Sequence, residues 1–532
     1  MIRRLAIRNY RIFRQLDLEF SDGINVLVGP NDIGKSTLLE AISLALTGRL
    51  AGKPFAYELS PYHVNNAATR AYSDSLRTGR AATPPEIIIE LYLSPDCGAE
   101  ALRGTNNLSG EDAIGVRLQA QLAPEFHDEY SAFVATVRDG ALVPTEYYRV
   151  DWTAFSGQSI TSRSVPIDVS IVDPAALRLQ NGIDTHLQQI ISAQLQPSER
   201  VELSREYRSL RETFAERKSV QEINKKLQGD SGLLTNRALS LGVDISQRFT
   251  WERGLVAHVD ELPFHLISRG EQSAIKTVLA LGQRARDCHV VLIEEPEAHL
   301  SYTKLRSLLE RIADQCRGQQ VIIATHSNFV LNKVGLEHLV LLGPEGPLRM
   351  TDLPDGTVDY FKKLAGYDTL RMVLARASIL VEGPSDELVV QRAYRDKHGR
   401  LPIEDDVDVI SVGLAHKRFL DIAVRIGKPV RVVVDNDAKP VSNHQTRFQE
   451  YLIKPNVELC VGDGAGGRTL ETQIVAANDL ELLNKVLGQK FTSSDELLDF
   501  MLKNKTEAAL AIFQSEDVID MPPYISRAIA HV

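Results

Sequence analysis

Short apolar runs bounded by turn residues dominate the start of the chain. Residues 2–28 follow the pattern of β-strands, and the run 24–28 is short enough to be one buried strand. A helix is predicted directly after it, from Lys35 to about Leu46, and the β-branched run 87–93 predicts another sheet strand. The first part of the chain is therefore expected to mix a sheet with helices.

The pattern changes twice further along. Residues 175–230 carry apolar side chains at mixed three- and four-residue spacing, which predicts helices that leave the sheet domain and return to it. Two strongly apolar strands follow, at 290–293 and 321–324, each bracketed by helical periodicity as in a parallel sheet. A polar segment with Pro and Gly then precedes a new strand, helix, strand series near Ala377. We therefore expect an α/β protein with one domain in two parts, 1–174 and 231–350, a helical insertion at 175–230 and a further domain at 376–532.

Length and composition agree with several folded domains. The chain has 532 residues, 43% of them hydrophobic and 24% charged, and one core rarely serves so long a chain. No apolar run approaches the roughly 18 residues of a membrane span, and the N-terminus lacks the small-residue cleavage site of a signal peptide. The four cysteines are scattered, without the paired spacing of a zinc site or a disulfide framework. We expect a cytoplasmic protein with no membrane partner.

The charge balance is a mild argument against a nucleic-acid partner. The formal net charge is −10, whereas Lys and Arg that neutralise phosphates supply most non-specific affinity for DNA. Net charge is a global sum, however, and clustered carboxylates that hold metal ions would contribute to it. Charge alone therefore does not exclude DNA.

A phosphate-binding loop is predicted between the first buried strand and the first helix. The sequence from Gly29 to Ser36 matches GxxxxGK[ST] in that context. Its glycines let backbone N–H groups converge on phosphates, while the lysine would reach the β- and γ-phosphates and the serine hydroxyl would ligate Mg²⁺. A glycine-rich turn without a ligand is the alternative. We predict ATP binding through Asn31, Gly34, Lys35, Ser36 and Thr37.

Two acids end the apolar strand at 290–293. Glu294 would hold the Mg²⁺ of ATP directly or through water, and Glu295 would polarise the attacking water. The segment Ser268-Arg269-Gly270-Glu271-Gln272 precedes this strand, and His326 follows the next one.

This order of motifs resembles the ABC ATPases, especially the branch shared with chromosome-maintenance and recombination ATPases. The resemblance implies that Ser268 and Gly270 close over the γ-phosphate held by another subunit, and that His326 senses the γ-phosphate. A satisfied structural histidine is the alternative for His326. The first acid, Glu294, departs from the family, in which Asp is usual.

Carboxylates also end two strands of the C-terminal domain. Glu382 follows the strand 378–381, with Asp386 in the helix after it, and Asp435 and Asp437 follow the strand 430–434. Parallel strands end at a shared edge, so these side chains are expected to converge. Converging carboxylates repel one another unless cations lie between them, which favours Mg²⁺ or Mn²⁺ over acids that merely face solvent.

This arrangement resembles the Toprim domain of topoisomerases, primases and some nucleases. Joined to an ABC-type ATPase, it resembles the OLD (overcoming lysogenization defect) family of nucleases over nearly the whole chain. That resemblance implies two metals held by Glu382, Asp386, Asp435, Asp437 and Glu471, with Lys505 stabilising charge on the scissile phosphate. Lys503 is a close alternative to Lys505, and the capping-box pattern from Ser493 to Glu496 predicts a helix start just before both lysines.

The expected function is that of an ATP-binding and ATP-hydrolysing, metal-dependent DNA endonuclease of the OLD type, acting in anti-phage defence or DNA processing. Its active form is expected to be a homodimer or larger, because the ATP sites of the family need two heads, and a helicase or retron-type partner is a further expectation. The alternative is a DNA-sensing ATPase scaffold whose Toprim domain binds metal but needs a partner to act. A Toprim primase is disfavoured because the cysteines offer no zinc module.

Overall fold

In a computed structural model, the chain folds into two compact units, one of residues 1–166 with 322–532 and one of residues 167–321. The domain limits given above stay predictions. Within the part of the chain that is described, no helix is both long and apolar enough to cross a membrane. The structure describes residues 1–78, 83–136, 142–161, 164–172, 179–180, 183–184, 191, 195–230, 257–280, 289–315, 318–327, 330, 334–363, 367–462, 464 and 466–530.

An antiparallel sheet occupies the N-terminal part of the first unit. Strand β1 pairs with β2 and β6, and β8 pairs with β6, β7 and β9. Every residue of β6 is buried, which explains its unbroken β-branched run. The predicted first helix and the strand at 87–93 are confirmed. The elements are β1 (Ile2–Tyr10), β2 (Phe13–Glu19), β3 (Ile24–Val28), α1 (Lys35–Thr47), β4 (Arg49–Leu50), β5 (Lys53–Pro54), α2 (Phe55–Glu58), α3 (Asn66–Arg77), β6 (Ile87–Leu93), β7 (Arg103–Gly104), β8 (Ala113–Leu122), α4 (His127–Thr136) and β9 (Tyr148–Ala154).

The second unit contains two described helices in the stretch that was predicted to be helical, at Pro197–Glu216 and Lys218–Asp230. Residues 179–180 and 183–184, which were also expected to be helical, instead form a short antiparallel strand pair. Strands β10 and β15 pair in parallel. The elements are β10 (Val169–Val172), β11 (Leu179–Gln180), β12 (Ile183–Asp184), α5 (Pro197–Glu216), α6 (Lys218–Asp230), β13 (His258–Val259), β14 (Leu262–Pro263), α7 (Arg269–Ala280), β15 (Val290–Glu294) and α8 (Tyr302–Gln315).

The buried strand β3, which leads into α1, is part of a parallel pair in the first unit. It pairs in parallel with β17, which continues into the antiparallel strand β18. Burial on both faces accounts for the almost continuous apolar sequence of these strands. The elements between residues 320 and 374 are β16 (Gln320–Thr325), β17 (Leu339–Gly343), β18 (Gly346–Arg349), α9 (Asp355–Lys363) and α10 (Tyr367–Leu374).

The C-terminal domain is a four-stranded parallel sheet with helices packed against it. Its strand order is β20–β19–β21–β22. After β19 the chain first adds a strand on one side and then returns to the other, so the strand order reverses between β19 and β21. Ligand sites of open α/β sheets lie outside the carboxyl ends of the strands at such a point. The elements are β19 (Ala377–Val381), α11 (Pro384–His398), β20 (Val407–Ser411), α12 (His416–Ile426), β21 (Val430–Val434), α13 (Val441–Leu452), β22 (Val457–Val461), α14 (Leu470–Ala477), α15 (Leu480–Leu487), α16 (Ser494–Lys503), α17 (Lys505–Gln514) and α18 (Pro523–Ala528).

The helix start predicted at Ser493 is confirmed with one change. Ser493 Oγ accepts a hydrogen bond from the Glu496 backbone N–H at 3.3 Å, as an N-cap should. The Glu496 carboxylate reaches one residue further than a capping box requires and accepts from the Thr492 backbone N–H at 3.0 Å. The cap therefore begins α16, the helix that leads directly to the two candidate lysines.

A buried arginine ties the C-terminal segment to α11. Arg392 is 2% exposed, and its guanidinium donates to the backbone carbonyls of Ile512, Ser515 and Asp517 at 2.6, 2.5 and 2.6 Å. Its Nε pairs with Asp396 Oδ1 at 2.7 Å. One planar guanidinium thus satisfies three carbonyls, at the end of α17 and in the connection after it, and also pairs with Asp396. A lysine ammonium has only three N–H donors for these four partners.

We expect Arg392→Lys to lower the free energy of unfolding by about 3 kcal/mol, because it leaves buried carbonyls without donors and weakens a buried ion pair. Thermal or urea unfolding of the purified chain measures this. Arg400→Lys is the matched control, since the Arg400 side chain is 58% exposed in its pair with Asp405 and exposed pairs contribute about 0–1 kcal/mol. Equal melting temperatures for the two variants would contradict the role given to Arg392.

Candidate active site

The phosphate-binding loop has the backbone geometry that the sequence predicts. Gly34 begins α1 with φ 100°, in the left-handed region that glycine adopts without strain. A Cβ at Gly34 would also lie 2.5 Å from the Phe13 ring and 2.7 Å from Ile12. Both conformation and space therefore require glycine where the loop turns into the helix.

Lys35 lies inside this loop. It is 8% exposed, and its Nζ donates to the carbonyl oxygens of Gly29 and Pro30, each at 2.8 Å. Ser36, at the first turn of α1, is exposed. The loop thus presents a buried ammonium, a free helix N-terminus and an exposed hydroxyl, which are the groups that bind nucleotide phosphates and their Mg²⁺. Asn31 is exposed and Thr37 is partly buried.

In the second unit, the two acids lie at the end of β15. Glu294 and Glu295 are both partly buried, and Glu295 has φ 42°, a left-handed conformation that costs a non-glycine residue energy and is found mostly at functional sites. A Cβ at Gly270 would lie 2.5 Å from the His299 carbonyl oxygen. Gly270 is therefore required for close packing of the start of α7 on the loop after β15.

Ser268 and His326 are the remaining residues of the predicted ATP machinery. Ser268 is exposed. Its Oγ donates to Glu271 Oε2 at 3.0 Å and accepts from the Glu271 backbone N–H at 3.3 Å, so it also caps α7. His326 directly follows β16 and is exposed, which does not fit the alternative of a buried core histidine.

The carboxylates of the C-terminal domain lie where the strand order reverses. Glu382 directly follows β19, and Asp435 and Asp437 follow β21. Asp386 lies in the first turn of α11 and Glu471 in the first turn of α14. Five acids from four segments therefore belong to one edge of the sheet. The strand-end pattern predicted this convergence for Glu382, Asp386, Asp435 and Asp437, and the family resemblance added Glu471.

These carboxylates act on one another electrostatically. Burial, together with the nearby charges of Asp435, Asp386 and Asp437, raises the pKa of Glu382 to about 7. Burial and the charge of Asp435 raise the pKa of Asp386 to about 7 as well, although the Gly383 N–H donates to Asp386 at 2.9 Å. Buried carboxylates that repel one another are stabilised by a proton or a cation bound between them.

Asp435 is held at both of its oxygens. Oδ2 accepts from the Leu470 backbone N–H at 3.1 Å, and Oδ1 accepts from the Tyr524 hydroxyl at 3.1 Å. Burial raises the pKa of Asp435 while these two hydrogen bonds lower it. Asp437 is exposed and has φ 51°, another left-handed non-glycine conformation at the end of β21.

Lys505 reaches the acidic cluster and Lys503 does not. Lys505 Nζ lies 3.1 Å from Glu471 Oε1, and the Glu471 side chain is 5% exposed. Lys503 Nζ instead pairs with Asp499 Oδ2 at 2.6 Å on its own helix, where both side chains are exposed. This contact favours Lys505 of the two lysines left open by the sequence.

The donor set fits a divalent cation. Glu471 Oε2 is buried without a hydrogen-bond partner among the described residues, and carboxylate oxygens are the ligands that Mg²⁺ and Mn²⁺ prefer. As they stand, no three His, Cys, Asp or Glu side chains within the described ranges enclose a metal-sized space. Unneutralised carboxylates repel one another, so closer approach requires a cation between them.

Two neighbours of the acids were missed by sequence reasoning. Tyr524 is 1% exposed, and burial together with Asp435, Asp386 and Glu471 raises its pKa well above the ordinary value, so the phenol stays protonated and donates. Arg447, exposed on α13, acts on Glu382 in the opposite sense and lowers its pKa. No local motif marks either residue, because each is brought to the acids by tertiary packing.

Ser411 is the last residue of β20. Its Oγ donates to Glu387 Oε2 at 3.0 Å, and Glu387 also lies 3.5 Å from Arg371 Nη2. Arg371 in turn binds Asp408 Oδ1 at 2.6 Å. The described contacts thus place Ser411 in a polar network beside β20.

Family models match three parts of the chain. An AAA domain matches residues 4–236, a second AAA domain matches residues 258–332, and the model "Overcoming lysogenization defect protein-like, TOPRIM domain" matches residues 373–437. The fold and the matches define the class of protein: an ABC-type ATPase domain joined to a Toprim domain with a parallel sheet. The predicted resemblance to the OLD family is confirmed.

Curated relatives agree with this combination. The chain is 25% identical over 528 residues to the OLD nuclease of Thermus scotoductus, covering 87% of this chain and 92% of the relative. It is 50% identical over 156 residues to the DNA replication and repair protein RecF of Magnetococcus marinus, covering 29% of this chain and 36% of that one. It is 57% identical over 49 residues to the DNA double-strand break repair Rad50 ATPase of Methanopyrus kandleri, 9% of this chain and 6% of the relative. The chain thus spans most of the OLD nuclease and only part of the other two.

Among solved structures, an SMC head bound to the C-winged helix domain of ScpA is similar at 15% identity. The match covers 64% of this chain and 93% of that one with a TM-score of 0.33, which is too low to support an argument.

Proposed function

We propose that this chain is an ATP-binding and ATP-hydrolysing, metal-dependent DNA endonuclease of the OLD type. One observation carries the proposal. At the edge where the strand order reverses, the charges of four acids interact, namely Glu382, Asp386, Asp435 and Glu471. Lys505 Nζ lies 3.1 Å from Glu471 Oε1. Buried acids beside a lysine are suited to phosphodiester hydrolysis, in which negative charge builds on a phosphate. The similarity to an OLD nuclease over 87% of the chain supports the same reading.

In this proposal, Glu382, Asp386, Asp435, Asp437 and Glu471 hold two divalent ions, Mg²⁺ or Mn²⁺, which supply activation of the attacking water and stabilisation of the leaving oxygen. Lys505 moves its ammonium from Glu471 toward the scissile phosphate and stabilises the charge that develops there. Arg447 approaches Glu382 from α13 and is placed to bind a neighbouring backbone phosphate. The acids alone would repel DNA, so these two cations matter for substrate approach.

ATP binds at the phosphate-binding loop, with Asn31, Gly34, Lys35, Ser36 and Thr37 as its contacts in our proposal. Glu294 holds the Mg²⁺ of ATP and Glu295 polarises the attacking water. Ser268 and Gly270 close over the γ-phosphate held by another copy of the chain, and His326 senses that phosphate. The left-handed backbone at Glu295 supports a functional role for this turn.

Packing within the first unit supports control of cleavage by ATP. A Cβ at Gly29, in the phosphate-binding loop, would lie 2.9 Å from the Leu342 carbonyl of β17. The next residue, Gly343, packs on α12, where a Cβ would lie 2.3 Å from the Ile426 carbonyl. In the connection that precedes α12, the Gly413 N–H donates to the Glu382 carbonyl at 3.1 Å. A movement of the loop on ATP binding therefore has a contiguous packed route to Glu382.

A homodimer or larger assembly is part of the proposal. Helices α5 and α6 expose large apolar side chains that a monomer would leave in water, namely Val201, Leu210, Phe214 and Ile223. The protein is proposed to act in the cytoplasm, in anti-phage defence or DNA processing. A helicase or retron-type partner is proposed to trigger its activity.

Incubation of the purified chain with supercoiled plasmid tests the proposal. Nicked or linear product is expected with Mg²⁺ or Mn²⁺ and none with EDTA, and parallel reactions with and without ATP give the direction of the coupling. Intact plasmid under every metal and nucleotide condition, with ATP hydrolysis preserved, would reject the endonuclease and favour the DNA-sensing ATPase scaffold.

Lys35→Ala is expected to weaken ATP binding by about 10–100-fold, because a hydrogen bond to a charged group contributes about 1.5–3 kcal/mol. Fluorescent-nucleotide binding and phosphate release measure the effect. Lys53→Ala is the control, since its ammonium pairs with Glu58 and its side chain is 70% exposed. If Lys35→Ala bound ATP with wild-type affinity, the loop would not be part of the ATP site.

A further inference from the structure

The helix α18 supports the strand that delivers two of the acids. Its Ala528 carbonyl accepts from Arg431 Nη1 of β21 at 2.7 Å, and Arg527 Nη2 donates to the Val461 carbonyl at the end of β22 at 2.9 Å. Tyr524, Ile525 and Ala528 belong to the domain's apolar core. Tyr524 is thus carried by a segment that is hydrogen-bonded to two strands of the sheet.

Tyr524 and the start of α14 hold Asp435 from opposite oxygens. The Tyr524 hydroxyl donates to Oδ1 and the Leu470 N–H donates to Oδ2, each at 3.1 Å. Each carboxylate oxygen has two lone pairs, so both oxygens keep one for a cation. Two donors on separate elements also restrict rotation of the carboxylate.

We propose that Tyr524 is a positioning residue for the metal site: its hydroxyl orients the Asp435 carboxylate for the divalent ion that this carboxylate helps to bind. The proposal rests on the proposed function for the presence of that ion. Loss of a group that orients a metal ligand typically lowers metal affinity or activity by roughly 10–100-fold. Phenylalanine at this position keeps the ring in the core and removes only the donor.

The test measures Mn²⁺ binding by isothermal titration calorimetry on the full chain without ATP or DNA. Heat that disappears in Glu382→Gln is assigned to the Toprim site. We expect Tyr524→Phe to weaken this binding by about 10–100-fold and to raise the Mn²⁺ concentration for half-maximal plasmid cleavage in parallel, with cleavage recovering at saturating Mn²⁺. The melting temperature of the metal-free protein is expected to change little.

Tyr394→Phe is the matched control. Tyr394 is also 2% exposed and donates to an aspartate, Asp405 Oδ2, at 2.7 Å, but Asp405 lies outside the acidic cluster. Its variant should bind Mn²⁺ as the wild type does. If both tyrosine variants weaken binding equally, the effect is general loosening and the proposal is overturned.

A double variant separates positioning from loss of stability. In an Asp435→Asn background, Tyr524→Phe should change the Mn²⁺ dissociation constant by less than about twofold, since the carboxylate that it orients is gone. If Tyr524→Phe weakened Mn²⁺ binding in the Asp435→Asn background as much as it does in the wild type, the proposal would be overturned. Unchanged Mn²⁺ binding in the single Tyr524→Phe variant would also overturn it. So would Mn²⁺ binding by the wild type that does not depend on Glu382. Glu382-dependent binding that Tyr524→Phe weakens, in a chain that cuts no DNA, would uphold the proposal and reject the endonuclease.

Discussion

Replacing Glu382 with glutamine is expected to reduce plasmid cleavage by at least about 10³-fold while ATP hydrolysis continues. This exceeds the roughly 10–100-fold cost of losing a residue that only orients a metal ligand, because the substitution removes a charged donor from the cluster itself. Glu382 directly follows the strand β19, and the charges of Asp435, Asp386 and Asp437 all raise its pKa. Single-turnover cleavage with Mg²⁺, with phosphate release measured in parallel, gives both rates.

The control for this variant is Glu458→Gln, the same chemical change at a side chain that is 53% exposed in its pair with Arg431. It should cleave DNA within about twofold of wild type, because an exposed pair contributes little. The melting temperature of Glu382→Gln should not fall below that of wild type, since a neutral side chain removes repulsion among the acids. Preserved cleavage in a folded Glu382→Gln protein would place the nuclease site elsewhere.

Lys505→Ala is expected to reduce cleavage by about 10²–10³-fold, the usual cost of removing one group that stabilises charge in the transition state. The reason is its position, with Nζ 3.1 Å from Glu471 Oε1 at the edge of the cluster. The same single-turnover assay at saturating metal measures it. Lys505→Arg keeps the charge and should recover part of the rate.

Lys503→Ala provides a control two residues away. Lys503 pairs with Asp499 on the surface of α16, with side chains 70% and 63% exposed, so its loss should change cleavage by less than about threefold. If Lys503→Ala were the more damaging variant, the assignment would pass to Lys503. If neither variant affected the rate, the charge on the phosphate would have to be stabilised by another group, with Arg447 the first to test.

Local sequence signals were sufficient for the elements that carry the motifs. The phosphate-binding loop, the helix α1 and the strand β6 were predicted within a residue or two, because glycine positions and runs of apolar residues specify them locally. The strand pair formed by residues 179–180 and 183–184 was expected to be helical. There, mixed spacing in the surrounding segment outweighed the turn signal of Asn181-Gly182.

The residues of the candidate site also form two groups: those that the sequence identifies and those that only tertiary packing brings together. Glu382, Asp435 and Asp437 follow apolar strands and could be found from the chain order, since parallel strands end at one edge. Glu471 and Lys505 came from family resemblance, and the contact between them depends on how α14 and α17 pack. Tyr524, 89 residues from Asp435 along the chain, left no sequence signal at all.

The sequence by itself determined the class of each element, the position of the phosphate-binding loop and the strand-end acids, because backbone conformation and burial periodicity act over a few residues. Only the tertiary structure decided which lysine meets Glu471 and which groups hold Asp435. Those contacts join segments that are distant along the chain, and packing of helices on the sheet sets their distances.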